Sequence, residues 1–145
     1  MYSSPNVRKA LDNAATASMF AATVFAAAAC HGRASRPHPI TVGQLAALMK
    51  SADPPRLYDT NGDRTRREYG VIPGATLLPS SHDYALDLLP AQKAVPVIFY
   101  CASSWCGAAE TAASRAVQAG YAQVSVLPDG IKGWKEAGLP VQKPN

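Results

Sequence analysis

Two cysteines five positions apart, Cys101 and Cys106, are the residues of this sequence best suited to covalent chemistry. Cys101 directly follows Val97–Tyr100, a run that is apolar on both faces, as is typical of a buried parallel strand. In open α/β sheets, ligands bind outside the carboxyl ends of the strands. We therefore expect Cys101 to lie where such a sheet holds its ligand.

The segment after Cys101 is built mainly of small residues, and we expect it to curl into a loop before a helix begins. Its residues are Ala102, Ser103, Ser104, Trp105, Cys106 and Gly107. Successive backbone amides in such a loop, with a helix N-terminus behind them, stabilise a negative charge. The same field lowers the pKa of a thiol from about 8.5 into the range of roughly 3.5–7.5. The pattern predicts a thiolate nucleophile at Cys101, with a buried structural cysteine as the simpler alternative.

Cys106 has two candidate roles. A curled loop can bring its Cα atom within the roughly 4.4–6.8 Å of the Cys101 Cα atom that a disulfide requires. In that case Cys106 is a resolving thiol for Cys101. The alternative is that Cys106 faces the core at the start of the helix as a small apolar side chain.

The distribution of charge and of metal-binding residue types excludes two classes of function. The net charge is +4, but four basic residues and one acidic residue precede Pro39, which leaves ten basic and nine acidic residues from Pro39 onward. Nucleic-acid binding needs a concentrated positive face. The three cysteines and three histidines do not have the spacing of a zinc site. We expect no nucleic acid, no metal and no cofactor.

The composition divides the chain into a leader and linker at residues 1–38 and one domain at residues 39–145. Two basic residues precede the apolar stretch 19–29, which ends in four alanines before Cys30. This pattern resembles a secretory signal and predicts an exported, periplasmic protein. A retained alanine-rich helix on a cytoplasmic protein is the alternative. Eleven apolar residues cross only about half of a bilayer, so we expect no transmembrane span. The polar, proline-containing residues 31–39 indicate a linker.

The elements that must position the cysteines follow one another as alternating strands and helices. Strands are predicted at Arg56–Asp59, 75–78, Val97–Tyr100 and 123–127. Helices are predicted after the capping residue Thr41, at residues 81–89, between the loop and Gly120, and within residues 130–138. Turns are predicted at residues 61–63 and 70–74. This alternation predicts an α/β fold around a mainly parallel sheet.

Several segments, in order and spacing, resemble the rhodanese family. Phe99, Tyr100 and Cys101 resemble the family's strand entering its active loop, and residues 70–75 (Gly-Val-Ile-Pro-Gly-Ala) resemble its Gly-His-Ile-Pro-Gly-Ala turn. The other matching segments are residues 57–59, 120–121, 124–127, 130–134 and 138–141. The resemblance covers about a hundred residues and implies a single rhodanese-like three-layer α/β/α domain, here a variant with a Cys-x4-Cys loop.

The resemblance implies a sulfurtransferase that carries sulfane sulfur as a persulfide on Cys101. The implied partners are a small-molecule donor, thiosulfate or a persulfide, and a thiol or cyanide acceptor, and we expect a monomer. Two alternatives remain: a thiol–disulfide redox protein using Cys101 and Cys106, and a rhodanese fold that binds or senses without turnover.

Some positions depart from the family pattern. The turn histidine is replaced by Val71, the arginine that often follows the strand aspartate by two residues is replaced by Asn61, and the loop holds no arginine or lysine. A neutral loop should hold a dianion such as thiosulfate less firmly. Asp59 and Arg64 are candidate supporting residues, because Arg64 and the arginines near it follow the neighbouring strand and are able to lend charge. The alternative for these arginines is a solvated basic loop.

Overall fold

The computed structural model describes residues 36–144. Cys30 and both interpretations of the leader, as an export signal or as a retained helix, lie outside the described residues. The division of the chain at residues 38 and 39 therefore stays a prediction.

A five-stranded parallel sheet forms the centre of the domain, in the order β1-β5-β4-β2-β3. The strands are β1 His38–Pro39, β2 Arg56–Asp59, β3 Thr76–Leu77, β4 Val97–Tyr100 and β5 Val124–Leu127. All four residues of β4 are buried, as expected for the middle strand of a sheet covered on both faces. The predicted mainly parallel sheet is confirmed.

Helices cover both faces of this sheet. They are α1 Val42–Leu48, α2 Asp63–Tyr69, α3 Ala108–Gln118 and α4 Gly130–Glu136, with a short 3-10 helix at Leu86–Leu88. Phe99 of β4 belongs to one core cluster with the buried alanines of α3, whereas Ile98 and Tyr100 belong to a second cluster with α1 and α4. This division follows from the two-residue period of a strand. The three-layer α/β/α architecture is thereby confirmed.

The first helix begins as the sequence predicts. Thr41 caps α1 by accepting a hydrogen bond from the Gln44 amide at 3.2 Å, and the Gln44 side chain accepts one from the Thr41 amide at 2.9 Å. This reciprocal pair satisfies two backbone donors that have no partner within the helix. Leu45 then anchors α1 in the second cluster.

Three predicted elements differ in the structure. The interpretation of the arginines after β2 as a solvated loop is wrong in part: they lie in helix α2, where Arg64 and Arg67 are exposed but Arg66 is buried. The helix predicted at residues 81–89 is reduced to the 3-10 turn Leu86–Leu88. Its first residues form a local turn instead, because the Ser80 hydroxyl accepts hydrogen bonds from the amides of His82 and Asp83. The end of the predicted linker forms β1, which pairs with β5.

Within residues 36–144, no helix has the length and the apolar character needed to cross a membrane.

Candidate functional site

Cys101 is the first residue after β4, at the carboxyl edge of the sheet. Tyr100, which precedes it, pairs with Asp59 of β2 on one side and with Leu127 of β5 on the other. Cys101 therefore lies between two neighbouring strand ends, and only 2% of its surface is exposed. This is the place where an open parallel sheet binds its ligand.

The loop after Cys101 curls back and joins the two cysteines. A disulfide links Cys101 to Cys106, with the Cα atoms 6.3 Å apart. The Cys106 amide donates to the Ser103 carbonyl at 3.0 Å, which closes a turn within the loop. Cys101 is buried, whereas Cys106 is half-buried and packs against the edge of the first core cluster. Cys106 is thus bonded to Cys101, and it also packs against the core, as the two alternatives predicted.

Carbonyl oxygens approach the Cys101 sulfur in this disulfide form. The Cys106 carbonyl oxygen lies 3.1 Å from Cys101 Sγ, and the Ser103 carbonyl oxygen lies 3.9 Å away. A carbonyl oxygen carries partial negative charge and disfavours an anion at that distance. The predicted set of loop amides around a thiolate therefore stays a prediction for the reduced loop.

Helix α4 holds the start of the loop in place. The amide of Ile131 donates to the Cys101 carbonyl at 2.9 Å, and the amide of Lys132 donates to the Ala102 carbonyl at 3.1 Å. Gly130 allows this approach, because a Cβ atom at its position would lie 2.4 Å from the Cys101 carbonyl oxygen. Its φ of +58° also lies in the left-handed region that favours glycine. The sequence indicates this contact of Gly130 with the loop only through the family resemblance.

Trp105 stands at the tip of the loop with 96% of its surface exposed. A cleft of about 520 Å³ lies beside it, between the loop and the helices α1 and α4. The cleft is lined by Val42, Ser103, Ser104, Trp105, Asp129, Lys132, Gly133, Glu136 and Ala137. The Lys132 ammonium lies 5.0 Å from the centre of the Tyr69 ring, so its charge is engaged with an aromatic face.

Beside the cysteine, the end of β2 carries a buried ion pair that fixes the strand ends. Asp59 accepts hydrogen bonds from the Asn61 amide at 2.7 Å, from Arg66 Nε at 3.3 Å and from the Tyr100 hydroxyl at 2.7 Å. Arg66 Nη2 donates to the carbonyls of Asp59 and Leu78 at 3.0 and 2.9 Å. The pKa of the Tyr100 hydroxyl is raised far above its ordinary value, mainly by burial and to a smaller extent by the neighbouring Asp59 carboxylate. Tyr100 therefore stays protonated and donates to Asp59.

The candidate supporting residues differ in their surroundings. Asp59 is fully buried and accepts a hydrogen bond from Tyr100, the residue before Cys101, and its supporting role stays a prediction. Arg66, which the sequence did not single out as its partner, lies one helical turn into α2 and seven residues after Asp59. Arg64 is exposed and takes part in none of the ion pairs found within residues 36–144. A supporting role for Arg64 stays a prediction.

Clusters of three or more metal-ligating side chains do not occur in the part of the chain that the structure describes. The sulfur atoms of Cys101 and Cys106 are bonded to each other as a disulfide.

Comparisons with protein-family models and with solved structures point to the same family. The family model for the rhodanese-like domain matches residues 41–137. A solved structure from Bacillus halodurans is 22% identical, with a TM-score of 0.63 over 73% of this chain and 77% of that chain. A rhodanese-like domain protein from Staphylococcus aureus is 24% identical, with a TM-score of 0.56 over 72% of this chain and 98% of that chain.

A thiosulfate sulfurtransferase from Pseudomonas aeruginosa is 20% identical, with a TM-score of 0.56. The alignment covers 75% of this chain but 21% of that larger chain. A search of curated proteins finds no match.

At these identities the solved structures show a shared fold, and the family model spans well over half of the chain. The elements it covers run from the capping residue of α1 to the end of α4 and include Cys101 with its loop. The resemblance seen in the sequence is confirmed: this chain belongs to the rhodanese-like domain family.

Proposed function

We propose that this protein is a sulfurtransferase in which Cys101 carries the transferred sulfur as a persulfide. The observation that supports this proposal is the position of Cys101, at the carboxyl end of the buried middle strand of a rhodanese-like domain. The uncharged, partly exposed loop that follows Cys101 also supports the proposal, because such a loop adds nothing to the packing of a buried cysteine but gives a small molecule access to it.

The reaction takes place in two nucleophilic steps on the reduced protein. The Cys101 thiolate attacks the outer sulfur of the donor, a new S–S bond forms, and the donor's own S–S bond breaks. The leaving group takes the bonding electron pair and departs as sulfite from thiosulfate or as a thiolate from a persulfide. A thiol or cyanide acceptor then attacks the outer sulfur of the Cys101 persulfide and releases the Cys101 thiolate.

The absence of charged side chains among residues 101–107 favours a low-molecular-weight persulfide over thiosulfate as the donor. A dianion loses hydration on entering the site, and the loop offers it no opposite charge in return. We therefore expect slower loading from thiosulfate than from a persulfide at equal concentration.

The test is sulfur loading of the reduced protein. Wild type should gain the mass of one sulfur atom after incubation with a persulfide, and cyanide should remove it as thiocyanate. Cys101→Ser should take up no cyanide-labile sulfur, whereas Cys30→Ser, the matched control outside the domain, should load like wild type. Failure of reduced wild type both to load and to release hydrosulfide would favour a binding or sensing module. Full loading of Cys101→Ser would assign the nucleophile to another residue.

Thiol–disulfide exchange is the second candidate function, and the Cys101–Cys106 bond is the observation that favours it. In this case the protein would pass electrons between dithiols without carrying sulfur. Export by the leader would suit this role, since disulfides persist in oxidising compartments. Reduction of a disulfide substrate at the expense of dithiothreitol would be accelerated by wild type and lost in Cys106→Ala. Sulfur loading that persists in Cys106→Ala would separate the two activities.

A further inference from the structure

We propose that Cys106 is an internal acceptor, which makes the protein release its sulfur as hydrosulfide at the expense of a dithiol reductant. This inference rests on the proposed sulfurtransferase function and assigns the final acceptor. Its argument comes from the bond between the two cysteines, from their unequal burial and from the chemistry of a persulfide next to a thiol.

The loop holds the second thiol within bonding range of the first. The Cα atoms of Cys101 and Cys106 are 6.3 Å apart, inside the range of about 4.4–6.8 Å over which a disulfide forms. The turn from Ser103 to Cys106 and the two amides of α4 at the loop's start hold the chain in this curl. Once Cys101 carries a sulfur atom, the Cys106 thiol is therefore the nucleophile nearest to it along the loop.

The internal step balances without an external oxidant. The Cys106 thiolate attacks Sγ of the Cys101 persulfide, the Cys101–Cys106 bond forms, and the bond between Sγ and the outer sulfur breaks. The outer sulfur leaves with the electron pair as hydrosulfide. The sulfane sulfur is reduced by two electrons, and the two cysteines are oxidised to the disulfide that the structure contains.

Unequal burial then directs the reopening of that disulfide. Cys101 is 2% exposed, whereas Cys106 is half-buried and follows the fully accessible Trp105. An incoming thiolate reaches Cys106 Sγ more easily, so Cys101 is the sulfur that leaves as a thiolate. A dithiol reductant completes the exchange by closing its own disulfide, and Cys101 is ready for the next donor.

A single turnover without any external thiol tests the inference. The full chain is reduced, freed of reductant, loaded with a persulfide, desalted and left under nitrogen. Wild type should release one hydrosulfide per loaded sulfur and end with the Cys101–Cys106 disulfide. Cys106→Ser should keep its persulfide on the order of tenfold longer or more, because it lacks the intramolecular attack. Cys30→Ser, which removes the remaining cysteine of the sequence and leaves the loop unchanged, should release sulfur like wild type.

The outcomes separate the two proposals. Loading of wild type followed by equal persulfide lifetimes in wild type, Cys106→Ser and Cys106→Ala overturns the role of Cys106 and leaves the sulfurtransferase intact. Both proposals are overturned if fully reduced wild type forms neither a persulfide nor hydrosulfide and Cys106→Ser forms no persulfide. Matching thermal unfolding curves for the two Cys106 variants and wild type show that a longer lifetime does not come from a damaged fold.

Discussion

The ends of β2 and β4 are adjacent in the sheet, since Asp59 pairs with Tyr100, yet they are built in opposite ways. At the end of β2, charged groups are buried, and the Asp59 carboxylate is satisfied by an amide, a guanidinium and a hydroxyl. At the end of β4, the chain is uncharged, and it presents a disulfide and a fully accessible Trp105.

This contrast separates two parts of the site. The first is a fixed platform, formed by the buried ion pair at the end of β2 together with Tyr100. The second is the loop 101–107, which is able to change its chemical state. The Tyr100 hydroxyl joins the two, because it donates to Asp59 and accepts from the Ile72 amide at 3.1 Å. The residue before Cys101 is thus held from β2 and from the turn before β3. We therefore expect that breaking and forming the Cys101–Cys106 bond changes the loop without moving the strand end. We expect stability to reside in the first region and sulfur chemistry in the second.

Removing Asp59 should give the largest loss of stability. Asp59→Ala leaves the Arg66 guanidinium buried without its carboxylate, which costs about 3–5 kcal/mol of unfolding free energy. Denaturant unfolding measures this loss. The control is Asp63→Ala, which removes the other carboxylate near Arg66, at 3.5 Å but with 80% of its side chain exposed, and should cost less than about 1 kcal/mol. Equal losses in the two variants would contradict the platform.

Gly130→Ala should have the next largest effect, and it acts on the connection between α4 and the loop. The new Cβ atom would meet the Cys101 carbonyl oxygen at 2.4 Å and would sit on a residue with φ of +58°. We expect a loss of about 2–4 kcal/mol from overpacking and left-handed strain together. Sulfur loading of the reduced variant should also fall, because the start of the loop is displaced.

Gly138→Ala is the matched control for this change. Gly138 has a similar φ of +72°, but nothing lies within 4 Å of its added Cβ atom. It should show only the left-handed strain, about 1–2 kcal/mol, and normal loading. A loading defect of the same size in both variants would mean that Gly130 acts through backbone strain and not through its approach to Cys101.

Alkaline pH should destabilise the folded domain through its buried tyrosines, while the loop, which has no tyrosine, contributes nothing to this effect. Burial raises the pKa of Tyr58 and of Tyr84 to about 12 and raises that of Tyr100 further. The unfolded chain releases these protons near pH 10 and the folded chain does not, so their contribution to stability is present below about pH 10 and is lost as the pH rises toward 12. Denaturant unfolding at several pH values measures the slope, and Tyr58→Phe should make it shallower. An unchanged slope in that variant would remove Tyr58 from the explanation.

The sequence predicts the sheet well and the platform poorly, for a physical reason. β4 is recognisable because Val97–Tyr100 is apolar on both faces, and α1 because the capping residue Thr41 precedes apolar residues at helical spacing. The Asp59–Arg66 pair depends on a helix that follows β2 and on long-range packing, so neighbouring residues carry no signal for it. From the sequence alone, an arginine next to a predicted turn is expected to be exposed to solvent, because the buried carboxylate that pairs with it is not known.

For the loop, the sequence predicts the position but not the detailed backbone geometry. Its position follows from β4 and from the small residues after Cys101, and its curl brings Cys106 into bonding range as the spacing allows. The direction of each amide and carbonyl does not follow, because it depends on the φ and ψ angles of a few residues without periodic pattern. The approach of the Cys106 carbonyl to Cys101 Sγ is such a detail.

The smallest expected effect is spectroscopic and reports on the loop alone. Trp105 lies between the two cysteines in sequence and is 96% exposed, whereas Trp134 is 2% exposed and donates to the Pro140 carbonyl. Reducing the disulfide should therefore change the fluorescence of Trp105 and leave that of Trp134 constant. Trp105→Phe should lose the change while its unfolding free energy stays within about 0.5 kcal/mol of wild type, as is usual for a surface position. Cys106→Ala should keep the tryptophan but show no response to dithiothreitol. A response that survives in Trp105→Phe would mean that reduction reaches the core around Trp134, and the separation between a fixed platform and a changing loop would then be wrong.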